Sequence, residues 1–320
     1  MDFRQLRVFV AIFEAGSIVG AAEVLRSAPS VLAHHLRNLE SRAGGPLFER
    51  RSRGVEPTEL GQRLYVHARD ILRAVDLAEH DLRDARAEIS GKVVLSLAYS
   101  ALHAIGPAVL DAVIERHPRI VLDIVSTVSG ATFDQIAASG IDLAVAYNPS
   151  RDAKLKLTPL LEEDSMAIGK PEILRETEED LLLCDFLEMP YILPRKGARG
   201  RAVTDDPEHQ RLLEAHARMF TDGVDAAVQF AVAGHGCMIA SALYSERLLT
   251  GRGLIGRRLI DPRITRTLFL CERKDAPSSR AIGAVREIVV EKITEVIRNE
   301  TWPCREVSGL RTAMPRDCAD

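Results

Sequence analysis

The sequence predicts an α/β chain in three parts: a small helical unit closed by a hairpin, one long helix, and a larger region built on parallel sheet. Three observations carry this. Up to Leu39, apolar residues recur at helical spacing. From Leu60 to Ile89, apolar or small residues repeat in steps of three and four. After Ser90, strand-like and helix-like stretches alternate, the pattern of a doubly wound sheet.

Composition sets the outer bounds. A chain of 320 residues holds two or three domains, and 46% hydrophobic residues is ordinary for a globular protein. No apolar run approaches the ~20 residues that cross a bilayer. "MDFRQLRVFV" carries charge where a secretory signal needs an apolar block, so a cytoplasmic protein is expected. Cys184, Cys237, Cys271, Cys304 and Cys318 form no CxxC pair, which fits reduced thiols in the same compartment. The net charge of -4 does not mark a nucleic-acid binder, yet a small DNA-binding unit on a larger body gives the same value. Every fixed cation before Lys92 is arginine. Arginine forks suit phosphate and guanine, and nucleotide bias in the gene explains the pattern equally well.

The first helix buries Phe3, Leu6, Phe9, Val10 and Phe13 on one stripe. "AGS" ends it, and Ser17 caps a second helix whose Ala21-Ala22 pair lets another helix cross closely. Pro29 opens a third helix, where its missing N–H costs little. Leu32, Leu36 and Leu39 give that helix a core stripe, and Ser30, Ala33, His34, Arg37 and Ser41 lie opposite. The arrangement predicts a helix-turn-helix. Ser30, Ala33 and His34 then face base edges in the major groove, and Arg37 approaches phosphate or guanine. Ser17, Ile18 and Val19 of the preceding helix and Pro29 complete the candidate contact set. A surface helix with a solvated polar face has the same periodicity. The next stretch, "GGPLFERRSRGVEPTELG", reads as a hairpin whose basic tip offers Arg50, Arg51 and Arg53 to phosphates. Helix-turn-helix plus hairpin makes a winged helix over residues 1–58.

Thr58 caps the long helix, assigned to residues 59–89. Its seam includes Leu64, Ile71, Val75 and Leu82, spaced as in a coiled coil with one stutter. Such a helix is poorly buried alone, so dimerisation is expected; packing on its own chain is the alternative.

"MDFRQLRVFVAIFEAGS", "AAEVL", "LRNLE" and "GGPLFERRSRGVEPTELGQRLYVHARDIL" closely resemble the start of a LysR-type transcriptional regulator. The resemblance is gapless over the first ninety or so residues and persists as pattern to about residue 300; "LAVAYNP" is most similar to the nitrogen-assimilation regulator branch. It implies a winged-helix DNA-binding domain, a dimerising linker helix, and a two-lobed effector-binding domain like periplasmic binding proteins.

The rest of the chain fits that plan. "GKVVLSLAYS", "IVLDIVST" and "IDLAVAYN" read as strands separated by the helices "ALHAIGPAVLDAVIERHP" and "TFDQIAAS". "LTPLLEEDSMAIG" crosses into a second lobe, where "YILP", "ARMF", "GVDAAVQFAVAG" and "CMIAS" repeat the theme. "ITRTLFLCER" returns, and "SSRAIGAVREIVVEKITEVIRNE" closes the first lobe. The effector domain spans residues 90–300, with lobe I at about 90–163 and 267–300 and lobe II at about 164–266. Residues 301–320 read as a flexible tail. Ligands of open α/β sheets sit beyond the carboxyl ends of the strands. That rule selects Ser100, Ser126, Thr127, Ser129, Thr132, Tyr147, Asn148, Pro194, Arg195, Arg199 and Thr221 as lining for a small-molecule effector. Each hydroxyl could equally be a helix cap.

Enzyme chemistry finds no support: no Gly-x-Ser-x-Gly, Walker loop or His-Glu-x-x-His is present. "GHGC" at Gly234–Cys237 reads as a helix C-terminal turn. Neighbours His34 and His35 point about 100° apart on a helix, so no metal site is expected, and no cofactor. The chain departs from the family on its reading surface. Ala28, Pro29, Ala33, His34, Val19 and Gly20 stand where members usually carry polar donors. Residues 1–60 hold 8 arginines against 7 acids, a net of +1. The expected function is a sequence-specific DNA-binding transcriptional regulator, a dimer or dimer of dimers, modulated by an interlobe effector. The alternative is a ligand-binding protein with a weakened DNA module.

Overall fold

The computed structural model describes residues 1–51, 54–84, 89–127, 136, 140–147, 149, 152–175, 177, 179–195, 203–204, 206–221, 223–243, 249, 251–274 and 279–307. The chain divides into two compact units, Met1–Ala87 and Glu88–Asp320.

The first unit packs α1 (Phe3–Ala15), α2 (Ile18–Val24) and α3 (Pro29–Ala43) around Leu6, Phe9, Ile12, Leu32, Leu36 and Leu39. Asp2 and Gln5 form a capping box on α1, and Ser17 Oγ accepts from Gly20 N at 3.0 Å to cap α2. Phe3 is exposed, contrary to its expected place in the buried stripe. The stripe turns through Val8 and Ile12 instead, leaving the first turn of α1 at its edge. The hairpin strands β1 (Phe48–Arg51) and β2 (Gly54–Pro57) pair antiparallel. Val55 N donates to Gly16 O at 2.9 Å, which pins the hairpin to the turn after α1. Thr58 Oγ1 caps α4 (Glu59–Asp84) by accepting from Gly61 N at 3.0 Å, and donates to Pro46 O at 2.8 Å. Glycine is required at Gly61, because a Cβ there would collide with the Leu47 carbonyl.

The long helix is not an isolated rod. Tyr65 stacks on Phe13 with ring centroids 3.8 Å apart, Ala68 is fully buried, and Leu60, Leu64 and Leu72 pack on the core of the first unit. Leu64 was expected on a seam reserved for a partner; α4 lies against α1, so its first turns share that residue with their own domain.

The second unit has two lobes joined by one shared sheet path. In lobe I, β3 (Ser90–Ala98) pairs parallel with β4 (Arg119–Thr127) and β5 (Leu143–Tyr147). The long strand β6 (Leu155–Gly169) leaves lobe I for lobe II. There, after the short α6 (Pro171–Leu174), β7 (Leu181–Leu182) and α7 (Leu183–Leu187), β8 (Tyr191–Pro194) pairs parallel with β9 (Met219–Thr221) and β10 (Cys237–Ser241). Helices α8 (Pro207–His216) and α9 (Val224–Val232) complete that lobe. The strands β11 (Ile255–Ile260) and β12 (Thr265–Arg273) run back along β6, the first in lobe II and the second in lobe I. The helix expected at "TFDQIAAS" lies outside the described residues, apart from buried, helical Ile136.

Lobe I closes with α5 (Tyr99–Arg116) against α10 (Arg280–Arg298). Arg116 donates to both Glu291 oxygens at 2.6 and 2.8 Å. The guanidinium holds the Glu291 carboxyl at about 2, below its ordinary 4.5. A depressed carboxylate stabilises the fold fully above its unfolded value and loses that contribution as pH falls through its folded value. Arg116→Gln is therefore expected to cost a little stability at pH 7, under about 1 kcal/mol because both groups are partly exposed. The deficit should shrink as pH falls from about 4.5 toward about 2. Urea titrations across that range would show it, and a deficit independent of pH would refute the assignment.

The residues just after 301, expected to open a flexible tail, are instead folded onto the second unit. Trp302 is 2% exposed within the lobe I core, and β13 (Arg305–Glu306) pairs with β6. Burying an indole and adding a strand offset the entropy of ordering these residues. Residues 308–320 lie outside the described residues.

Candidate functional site

Two sites can be built from the residues upward, one on each unit. On the first, α3 turns its leucines inward and leaves Ser30, His34 and Arg37 exposed, with Ala33 half-buried. Pro29 sits in the first turn, and the N-cap Ala28 makes no side-chain cap bond. His34 Nε2 lies 3.1 Å from Asn38 Nδ2, so its ring leans along the helix toward the next turn. Asn38 is a neighbour that the apolar pattern did not single out, although i,i+4 spacing contains the signal. Val19 is 61% exposed, whereas Ile18 packs on the core and Ser17 spends its hydroxyl on the cap. Thus Val19, not Ser17 or Ile18, presents a free side chain.

At the wing, Arg50 is exposed. Arg51 pairs with Glu56 at 2.9 Å and Glu49 at 3.0 Å, since the antiparallel register sets those two acids opposite each other beside it. The charge expected to meet phosphate is partly neutralised within the hairpin. Arg53 lies outside the described residues. On α4, Ile71 is exposed and Val75 half-buried; the side chain of Leu82 lies outside the described residues. A groove of about 490 Å³ lies between α3 and α4, lined by Leu39, Ala43, Leu60, Leu64 and His67 among others.

In the second unit, the carboxyl ends of β3, β4 and β5 share one edge of lobe I. The carboxyl ends of β8 and β9 share one edge of lobe II, with Pro194 opposite Thr221. The lobes meet at Tyr99, whose ring packs on the lobe II core and whose hydroxyl donates to Asp225 Oδ1 at 3.1 Å. Tyr99 begins α5 and Asp225 lies in the first turn of α9, so two helix N-termini from opposite lobes converge there. Neither N-terminus has a side-chain cap.

The expected lining residues divide. Ser100 and Tyr147 are buried and bonded to each other at 2.9 Å, so they form a floor rather than free donors. Burial, with the Glu163 charge nearby, raises the Tyr147 phenol well above its ordinary range and keeps it protonated. Ser126 is exposed at the end of β4; Thr127 ends the strand, its side chain outside the described residues. Pro194 is half-buried, and the Thr221 carbonyl accepts from Arg195 N at 2.9 Å. Ser129, Thr132, Asn148 and Arg199 lie outside the described residues.

Sequence patterns missed a cluster beneath this edge. Glu163 is fully buried and accepts from Arg266 Nε at 2.8 Å and Nη2 at 2.7 Å, from Ser241 Oγ at 2.7 Å and from Trp302 Nε1 at 2.8 Å. The Arg266 guanidinium also lies 3.9 Å over the Tyr147 ring. No sequence period links partners so far apart.

The LysR substrate binding domain matches residues 86–294. The chain belongs to the LysR family. The helix-turn-helix of the bacterial regulatory lysR family matches residues 3–62 of the same chain. This LysR-type regulator is therefore a DNA-binding transcriptional regulator with a ligand-binding effector domain. It is 28% identical to the nitrogen assimilation regulatory protein nac of Klebsiella aerogenes over 92% of this chain and 96% of that one. It is 24% identical to the HTH-type transcriptional regulator BbuR of Bordetella bronchiseptica over 95% and 93% of the two chains. Full-length CbnR in complex with its target DNA superposes with TM-score 0.63 at 20% identity, covering 92% and 99%. A full-length OxyR variant from Pseudomonas aeruginosa superposes with TM-score 0.69 at 14% identity, covering 96% and 99%.

Among the described residues no helix is long and apolar enough to cross a membrane, and no group of three or more His, Cys, Asp or Glu is placed to hold a metal ion. Cys237, in the "GHGC" turn, is buried, which pushes its thiol up to about 12 and leaves no poised thiolate there.

Proposed function

We propose that the regulator reads double-stranded DNA with α3, using Ser30, Ala33, His34 and Arg37 toward base edges while Val19, Arg50 and Arg53 border the duplex. One observation carries this: an exposed polar row on α3 lies opposite a buried leucine row, which fixes the helix while leaving its reading face open. The seam residues Ile71, Val75 and Leu82, with Leu64 at its start, join two copies through α4. The apolar groove beside Leu64 supports that partner. Exposed Leu110, Ile114 and Val121 on α5 and the edge strand β4 offer a second self-association face, which suits a dimer of dimers. A small-molecule effector binds between the lobes, near Ser126, Thr127, Ser129, Pro194, Arg199 and Thr221 and over the Ser100–Tyr147 floor. The protein works in the cytoplasm by binding rather than catalysis.

Binding to a fragment from its own upstream region should weaken with salt, by about 0.9 per neutralised phosphate on a log-log plot. His34→Ala should weaken the specific fragment about tenfold or more and leave non-specific DNA nearly unaffected. Absence of any shifted fragment at low salt would sink this reading. The internal pairing of Arg51 and the net of +1 favour a second reading, a weakened DNA module. On that reading, Pro29→Gln with Ala33→Ser creates binding that the native chain lacks.

A further inference from the structure

We propose that residues 302–306 form a brace that sets the angle between the two lobes, acting through Glu163. Strand β6 is continuous through both lobes, so a change in their angle must pivot on it. Along one of its edges, β10 of lobe II ends with Ser241 opposite Ser165. On that same edge β13 begins with Arg305 opposite Glu162. Glu163 stands at the junction of the two strands. Its Oε2 accepts from Ser241 of lobe II and from Trp302, which is rooted in the lobe I core. Its Oε1 accepts from Arg266, on the strand that returns to lobe I.

A fully buried carboxylate is costly unless its donors stay in place. Moving lobe II relative to lobe I separates Ser241 from Trp302, and both share one oxygen. The present angle is therefore the one that satisfies Glu163 completely. Arg305 adds an outer tie, reaching Glu162 at 2.5 Å and Asp164 at 3.4 Å across the same crossover. Arg263 grips Asp164 from the returning segment, at 2.6 Å to each oxygen. The brace lies beyond residue 294, where the substrate-binding-domain match ends.

Trp302→Phe in the full-length chain removes the indole donor and keeps an aromatic ring in the core. Amide hydrogen exchange should quicken about tenfold at residues 161–166, 238–241 and 264–266, consistent with loss of one bond to a charged group. Exchange in α9 and in the first unit should stay as in the native protein. Arg305→Gln, which removes only part-buried ion pairs, should quicken the same segments to a smaller degree, and it carries the test alone if Trp302→Phe fails to fold. Acceleration confined to lobe I, sparing 238–241, would mean that Trp302 merely fills the core and would overturn the brace. Unchanged exchange in the crossover segments would overturn it equally.

Discussion

Arg266→Ala should lower the stability of the effector domain by about 3–5 kcal/mol, because it strands a buried carboxylate. Glu163 would lose two of its donors, and Tyr147 would lose the cation over its ring. Glu163 is 0% exposed and the Arg266 side chain 6%, so water cannot replace what is removed. The first unit, a separate compact cluster, should keep its own transition. Calorimetry that resolves the two transitions tests both statements. Loss of less than about 1 kcal/mol would mean that the pair is solvated in solution. Replacing both charges, Glu163→Met with Arg266→Leu, should recover part of the loss. Recovery stays incomplete because Ser241 and Trp302 would keep buried donors without an acceptor.

Leu32→Ala has the opposite distribution. Leu32 is 1% exposed and sits in the first turns of α3, among Leu6, Phe9 and Ile12. Removing its side chain should destabilise the first unit by about 2–5 kcal/mol through lost transfer energy and the cavity left behind. The small size of this unit makes such a loss a large share of its stability. On the proposed reading DNA binding should fall steeply, since α3 loses the anchor that holds His34 and Arg37 in place, while the effector-domain transition stays. A variant that melts normally yet binds no DNA would instead place Leu32 itself at the interface.

Much of this molecule was legible locally. The three leucines of α3, the Ser17 cap, Pro29 at a helix start and the strand-helix alternation after Ser90 all rest on periods of two or 3.6 residues or on single capping positions. The exposed polar face of α3 follows from the same period, because whatever lies opposite a buried stripe is exposed. Legibility failed where a residue had two possible neighbours. Leu64 fits a coiled-coil seam, yet it packs on its own core because α4 crosses α1. Arg51 fits a phosphate contact, yet the hairpin register delivers Glu49 and Glu56 to it.

The chain's own order of residues settled which segments become helix, strand or turn and which face of each is apolar, since those properties depend on neighbours within a few positions. Only the folded assembly decided where the long-range charges meet. Glu163 lies 103 positions from Arg266 and 139 from Trp302, and no local period reports such a meeting. Its cluster exists because β6 runs through both lobes while β10, β12 and β13 each pair along it, so burial, and with it the need for every donor, arises only once all four are in place.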